Sequence, residues 1–181
     1  LGTIEPRKNL ESAIAAFDLF LDQHSDRAQK TRLVLAGKFG WRTEKVEKEI
    51  ERVNSKWRMQ IGDDIIRPIG YVTEEQKWAL LKSATALLFL SWEEGFGLPL
   101  LEALSIGTPV IASNQGSLPE IGGDAAMFVP PDDIEKIALA IAQCTLVPDG
   151  VNYLKEEGKK HAAQFTWQRA AQKTLKILET S

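Results

Sequence analysis

The residues best placed to do chemistry lie in one stretch, Ser91-Trp92-Glu93-Glu94-Gly95-Phe96-Gly97-Leu98-Pro99-Leu100-Leu101-Glu102-Ala103-Leu104. The apolar run before it, Ala86-Leu87-Leu88-Phe89-Leu90, is short enough for one buried strand. A helix-like run from Leu98 to Ile106 follows and closes at Gly107. Pro99 falls in the first helical turn, where a missing N–H costs nothing. The pattern reads as strand, glycine turn, helix N-terminus. Such a turn aims free backbone N–H groups along the positive end of a helix dipole, which suits a phosphate. Glu94 stands at the strand end beside that anion site, and Glu102 about one turn inside the helix. A Glu among Leu98, Leu101, Leu104 and Ile106 needs donors if buried, and sugar hydroxyls are one source. A tight turn with a stabilising acidic residue is the purely structural alternative.

Three further groups fall at expected strand ends. Arg7-Lys8 follows residues 1–4, which read as the end of a first strand. A lysine there would neutralise a diphosphate as a point charge; a solvated basic loop is the alternative. Gly37-Lys38-Phe39-Gly40 follows a second strand, with Gly37 letting backbone approach a nucleotide or simply making a turn. Tyr71-Val72 follows a third strand, with Tyr71 equally readable as packing. No G-x-G-x-x-G or G-x-x-x-x-G-K-[ST] occurs, which argues against a dinucleotide or P-loop enzyme.

Positioning these groups falls to an α/β fold. Strands are expected at residues 1–4, 32–37, 65–71, 86–91, 109–113 and 126–129. Pro68 cannot donate to a ladder and puts the third strand at an edge. That suits a Rossmann-like, doubly wound parallel sheet of about six strands in the order 3-2-1-4-5-6, which binds ligands outside the strands' carboxyl ends. Helices separate the strands. Asn9 and Thr43 are expected N-caps, Thr73 with Gln76 a capping box, and Asp132 or Asp133 a further cap. Val46, Ile50, Val53 and Trp57 make one apolar stripe. Helices are also expected near residues 151–164 and 166–180, the last with Trp167, Ala171, Leu175 and Leu178 on one face.

The chain has 181 residues, 44% hydrophobic and 26% charged, which suits one domain with a real core. A net charge of −3 offers no global field for nucleic acid. The single cysteine, Cys144, forms no internal disulfide and fits a helix face. His24 and His161 read as surface residues, and no metal-ligand cluster is visible. No apolar run approaches the roughly 20 residues of a membrane span. The chain opens at Leu1 without a Met, inside an expected strand, and so reads as a piece of a longer protein.

The run from Glu94-Gly-Phe-Gly-Leu-Pro-Leu-Leu to Glu102, followed by Ala-Leu-Ser-Ile-Gly-Thr-Pro-Val-Ile-Ala-Ser, resembles the E-x7-E motif of the retaining glycosyltransferases of family 4, which have the GT-B fold. The likeness continues through Gly2-Thr-Ile-Glu-Pro-Arg-Lys-Asn and Ser117-Leu-Pro-Glu-Ile-Gly-Gly-Asp-Ala-Ala, covering essentially the whole chain. The resemblance implies a single C-terminal, donor-binding domain over residues 1–181, lacking the N-terminal acceptor domain. Residues 166–180 would be the helix that crosses back to that domain. By the resemblance, Glu102 accepts hydrogen bonds from ribose hydroxyls, and Glu94 is the catalytic carboxylate beside the donor sugar. Backbone groups of Gly95, Phe96, Gly97 and Leu98 hold the diphosphate. Lys8 matches the family's diphosphate lysine, with Arg7 and Gly2 beside it. Thr3 stands where many members carry Arg; either the clamp rests on Lys8 with help from Arg7, or the Thr3 hydroxyl takes part. Gly37, Tyr71 and Val72 fall where the nucleotide is held.

The implied reaction is retaining transfer of a sugar from a nucleotide diphosphate sugar to a saccharide or lipid-linked acceptor, without cofactor or metal. Whether Glu94 acts as nucleophile or the acceptor attacks from the leaving-group face stays open. The flanking residues most resemble mannosyltransferases, making GDP-mannose the first candidate donor. A glucosyltransferase domain of the glycogen- or sucrose-synthase kind, and a non-catalytic nucleotide-sugar binding module, are the alternatives. The resemblance also implies a cytoplasmic protein, with room for peripheral contact at the inner face of a membrane.

Overall fold

The computed structural model describes residues 1–180. Five strands form: β1 (Leu33–Ala36), β2 (Ile66–Gly70), β3 (Leu87–Phe89), β4 (Val110–Ser113) and β5 (Met127–Val129). Eight α-helices surround them: α1 (Leu10–Gln23), α2 (Glu44–Ile61), α3 (Glu74–Ser83), α4 (Leu98–Ser105), α5 (Leu118–Gly122), α6 (Ile134–Leu146), α7 (Asn152–Ala162) and α8 (Trp167–Thr180). Every strand pair is parallel, as strand–helix alternation requires.

The expected six-stranded sheet is divided. β1 pairs with β2 in one sheet, and β3, β4 and β5 form another in that order. Residues 1–4 run parallel beside the end of β1, through Gly2 N–H to the Ala36 carbonyl (3.0 Å) and Ile4 N–H to the Lys38 carbonyl (2.9 Å). Two such bonds and one bridge, Ile4 to Phe39, are too few for a named strand. The strands otherwise follow the expected sequence, with β2 and its Pro68 at an edge.

Burial follows the apolar spacing. Val46, Ile50, Val53 and Trp57 of α2 are all buried. Asn54 on the same helix donates to the Ile66 carbonyl (2.9 Å) and accepts from Ile66 N–H (2.8 Å), fastening α2 to β2. α1 packs on α6 and α4 on α7. Cys144 is buried on α6, and desolvation pushes its thiol up to about 11. Thr73 and Gln76 form both halves of the capping box, and Asp133 caps α6.

Three local expectations change. Asn9 has a left-handed backbone and no capping bond; its side chain is drawn instead to the Pro131 carbonyl (2.7 Å) and the Ser12 hydroxyl (2.9 Å). Thr43 gives its hydroxyl to Glu47 Oε1 (2.6 Å) rather than capping α2. His161 is partly buried, with Nε2 2.8 Å from the Ile121 carbonyl, which selects the tautomer protonated there. Its neighbour Gly123 has φ +50°, and a Cβ there would lie 2.8 Å from the imidazole. α8 carries its apolar residues outward: Trp167, Leu175 and Leu178 are all exposed.

One buried acid joins α1 to α2. Asp18 accepts from the Trp57 indole N–H (2.8 Å), Lys56 Nζ (2.8 Å) and Arg52 (3.3 Å). Burial pushes its pKa up, but the Lys56 and Trp57 hydrogen bonds and the Lys56 and Arg52 charges outweigh that, so the net shift is downward. Its contribution to stability is therefore complete above the ordinary carboxylate pKa and is lost as pH falls from there through the depressed folded value. Asp18→Ala should cost about 1–3 kcal/mol by stranding the Trp57 N–H. Asp18→Asn should cost less. Urea melts from pH 7 down to pH 3 check both: wild type should converge on Asp18→Asn as the pH falls, and parallel curves would contradict the linkage.

Candidate functional site

Two loops meet at the carboxyl ends of the strands. The first leaves residues 1–4 and tightens into a 3-10 turn, Pro6–Lys8, where proline sets the entering φ. The second leaves β3, turns through Gly95 and Gly97, and enters α4 at Leu98. Trp92 N–H donates to the Arg7 carbonyl (2.9 Å) and joins the two loops. Gly97 has φ +94°, and a Cβ there would lie 2.6 Å from Leu118 Cδ2, so glycine alone lets the turn close on α5. Ser117 donates to the Glu94 carbonyl (2.8 Å) and braces the turn from the other side.

The charges converge across this junction. Lys8 Nζ lies 2.6 Å from Glu94 Oε1, and an Arg7 guanidinium nitrogen lies 3.0 Å from Glu94 Oε2. Arg7 also donates to the Glu93 carbonyl (2.8 Å) and pairs with Glu5 (2.8 Å). The Lys8 ammonium sits 5.0 Å from the centre of the Phe89 ring, a cation–π contact. Its side chain passes over Gly2, where a Cβ would stand 3.6 Å from Lys8 Cε. Burial pushes the Glu94 carboxyl up; the hydrogen bond and charge of Lys8, with the Arg7 hydrogen bond, more than reverse this and hold it below the ordinary range. The group is thus a largely buried, ionised carboxylate bound to two cations. A phosphate arriving here would compete with Glu94 for both.

The neighbouring strand ends form a floor. Gly2 N–H meets Ala36, and Gly37 N–H meets the Gly70 carbonyl (2.8 Å), so residues 1–4, β1 and β2 end side by side. A Cβ on Gly37 would stand 1.9 Å from the Gly2 carbonyl oxygen, so the close approach Gly37 permits is to Gly2. The Thr3 methyl occupies space left by Gly40, whose Cβ would lie 2.7 Å from it. Tyr71 is exposed, with Lys38 Nζ 5.4 Å from its ring centre, and Val72 beside it is half-buried.

Glu102 belongs to a different contact. Its carboxylate pairs with Lys77 Nζ of α3 at 2.7 Å, and Lys77 also holds Glu74 at 2.8 Å and lies over Trp78. Glu102 faces a groove shared with Trp78, Phe96, Leu98, Leu101 and Trp167. Phe96 and Leu98 are exposed there, and Gly95 stands in open space. Arg7, Lys8, Glu94 and Gly2 therefore form one contact group, and Glu102 is tied instead to α3. Lys77 escaped the sequence reading. A Glu in an apolar run signalled the need for a donor, but nothing local says that a lysine 25 residues away meets it. Among the described residues, no three His, Cys, Asp or Glu side chains gather as a metal-binding group, and no single helix is long and apolar enough to cross a membrane.

The family model for glycosyl transferases group 1 matches residues 1–161. O-antigen chain mannosyltransferase B of Escherichia coli is 34% identical over 176 residues, covering 97% of this chain and 43% of that protein. MMP alpha-(1->4)-mannosyltransferase of Mycolicibacterium hassiacum is 33% identical over 120 residues, or 64% of this chain and 29% of that one. The chain thus spans less than half the length of these relatives. Among solved structures, the alpha,alpha-trehalose-phosphate synthase (UDP-forming) of Burkholderia xenovorans superposes with a TM-score of 0.87 at 16% identity, over 98% of this chain and 42% of that one. The C-terminal domain of a group 1 glycosyl transferase from Francisella tularensis gives 0.73 at 24% identity, over 91% of this chain and 82% of that one. This chain belongs to the group 1 glycosyl transferases and has the Rossmann-like fold of their GT-B domains.

Proposed function

We propose that this chain is the donor domain of a retaining hexosyltransferase, and that it binds a nucleotide diphosphate sugar at the carboxyl ends of its strands. The observation that carries this reading is the convergence of Lys8, Arg7 and Glu94 beside the N-terminus of α4. The bond that breaks joins the anomeric carbon to a diphosphate oxygen, and charge builds on the leaving diphosphate. Lys8, Arg7 and the first N–H groups of α4 would stabilise that charge as preorganised donors. Glu94 would lie at the sugar, and Glu102 would take the ribose hydroxyls. GDP-mannose is the first candidate donor, since relatives named as mannosyltransferases cover nearly the whole chain. The acceptor, a saccharide or lipid-linked saccharide, would meet the donor on a further domain of a longer protein.

The deciding experiment measures GDP, UDP and ADP binding to this chain by calorimetry, and sugar transfer by this chain and by the full-length protein. One nucleotide should bind in preference, and only the full-length protein should transfer. Orienting two reactants is worth up to about 7–11 kcal/mol, and a donor domain alone forgoes it. Transfer by the isolated chain near the full-length rate, or no nucleotide binding at all, would overturn the reading.

The ion pairs generate a directional prediction. Glu94 pairs with both cations, so a diphosphate that binds them has to displace it. Glu94→Gln should bind the preferred nucleoside diphosphate several-fold more tightly than wild type while abolishing transfer in the full-length protein. Lys8→Ala should weaken the diphosphate far more than the nucleoside, and this difference should shrink with added salt. Calorimetry at two salt concentrations reads both; a weaker diphosphate affinity in Glu94→Gln would contradict the competition.

Glu102→Ala and Lys77→Ala test the ribose site. Losing hydrogen bonds from a carboxylate should cost about 1.5–3 kcal/mol each at most. Glu102→Ala should weaken a ribonucleotide more than its 2′-deoxy form, which has already lost one of the two hydroxyls. Lys77→Ala should produce a smaller loss, because it frees Glu102 without removing it. Equal losses for ribo and deoxy forms, in variants that melt normally, would take Glu102 out of that role.

A further inference from the structure

At the root of the glycine turn one hydroxyl lacks a partner. Ser91 follows β3 and is 1% exposed, and its Oγ is buried with no hydrogen-bond partner among the described residues. Other buried hydroxyls are satisfied. Thr108 donates to the Leu81 carbonyl (2.7 Å), Thr43 donates to Glu47 Oε1 (2.6 Å), and Ser113 accepts from Gln115 N–H (3.1 Å). A buried hydroxyl left unpaired costs its full desolvation, so such a group in a folded protein needs an explanation. For the free protein alone, alanine would be the more stable choice at this position.

The neighbour that explains it is Glu94. Arg7 clamps the two residues between them: Trp92 N–H donates to the Arg7 carbonyl (2.9 Å), and the Arg7 guanidinium donates to the Glu93 carbonyl (2.8 Å). Ser91 and Glu94 are the two ends of that clamped segment. Burial pushes the Glu94 carboxyl up and Lys8 draws it down, and the nearby Ser91 hydroxyl adds to the downward pull. The cations fix where both carboxylate oxygens sit, Oε1 on Lys8 and Oε2 on Arg7. In that position neither oxygen comes within hydrogen-bond distance of Ser91 Oγ. The hydroxyl is thus near the carboxylate but not bonded to it.

We infer that Ser91 is a positioning residue: when a diphosphate takes Lys8 and Arg7, the Glu94 carboxylate moves onto the Ser91 hydroxyl, which donates to one oxygen and leaves the other to face the donor sugar. This inference rests on the proposed donor site and supplies what the exchange of ion pairs lacks. A largely buried carboxylate stripped of both cations would favour its neutral form. A hydroxyl donor keeps it ionised and oriented. Being neutral, the hydroxyl neither repels the cations nor draws the diphosphate away from them. The stability forgone by leaving Ser91 unpaired in the free protein is regained in the donor complex.

The test is a double-mutant cycle, read by calorimetry with the tightest-binding of GDP, UDP and ADP and accompanied by thermal melts. Ser91→Ala should weaken the nucleoside diphosphate roughly five- to tenfold by removing a bond formed only in the complex. It should leave the matching nucleoside unchanged and melt no lower than wild type. In a Glu94→Ala background the same substitution should change nothing. Ser91→Cys, a weaker donor of similar shape, should fall between. In the full-length protein Ser91→Ala should lower kcat about tenfold. It should also move the acid limb of kcat up by about one pH unit, because Glu94 is then easier to protonate in the donor complex. A wild-type chain that binds none of the three nucleotides overturns the donor site and this inference with it. Where wild type binds, an equal effect of Ser91→Ala with and without Glu94, an unmoved acid limb, or a lowered melting temperature overturns the role of Ser91 alone.

Discussion

The junction between the 3-10 turn at Pro6–Lys8 and the turn entering α4 depends on one carboxylate. Glu94 is held by two cations from a loop 86 positions earlier in the chain, and the Trp92 N–H to Arg7 carbonyl bond closes the same contact. A largely buried charge without partners would be expensive, and removing one partner of such a pair costs several kcal/mol. The pairing therefore fixes where the loop sits, which backbone Lys8 crosses and how far Arg7 reaches. It also keeps Glu94 ionised in a place where burial alone would favour the neutral acid.

Glycines allow this closeness in two places, for different reasons. Gly97 needs a left-handed backbone and lies against Leu118, so α4 can begin where α5 packs over it. Gly37 is required because the Gly2 carbonyl stands where a side chain would be. One glycine shapes the turn before the helix. The other lets two strand ends lie side by side beneath the cationic loop. Substituting either would move the charges before it touched any ligand.

Much of this was legible in the sequence, for identifiable reasons. The α2 stripe is a periodic signal that burial alone decides, and Pro68 has one acceptable place in a sheet. Thr73 and Gln76 form a box whose two bonds are both local. The failures share the opposite cause. Asn9 and Thr43 are good caps by type, but Asn9 is claimed by the Pro131 carbonyl 122 residues away, and Thr43 finds a carboxylate on its own helix. His161 looked polar and helical, yet a carbonyl 40 residues away buries it. At the site, residue types and strand-end positions marked Lys8, Arg7 and Glu94, whereas the Lys77–Glu102 pair is purely tertiary. The division of the sheet was hidden as well, because a continuous sheet needs a central strand paired along its length, and residues 1–4 make only two such bonds to the end of β1.

The two carboxylates differ in what a ligand must undo to use them. Lys77 divides its charge between Glu102 and Glu74, so Glu102 is already a shared partner and sits in a groove open to solvent. A hydroxyl can approach it without breaking the pair, since a carboxylate has about four acceptor positions. Glu94 uses both oxygens on Lys8 and Arg7, so anything that needs those cations has to separate opposite charges first. In a donor complex the diphosphate would repay that separation by taking over the same cations. Glu94 would then be released, ionised and facing the sugar, only when the leaving group was in place. Under the proposed function, an arrangement of this kind would tie the freedom of Glu94 to occupancy of a phosphate site through direct ion-pair exchange.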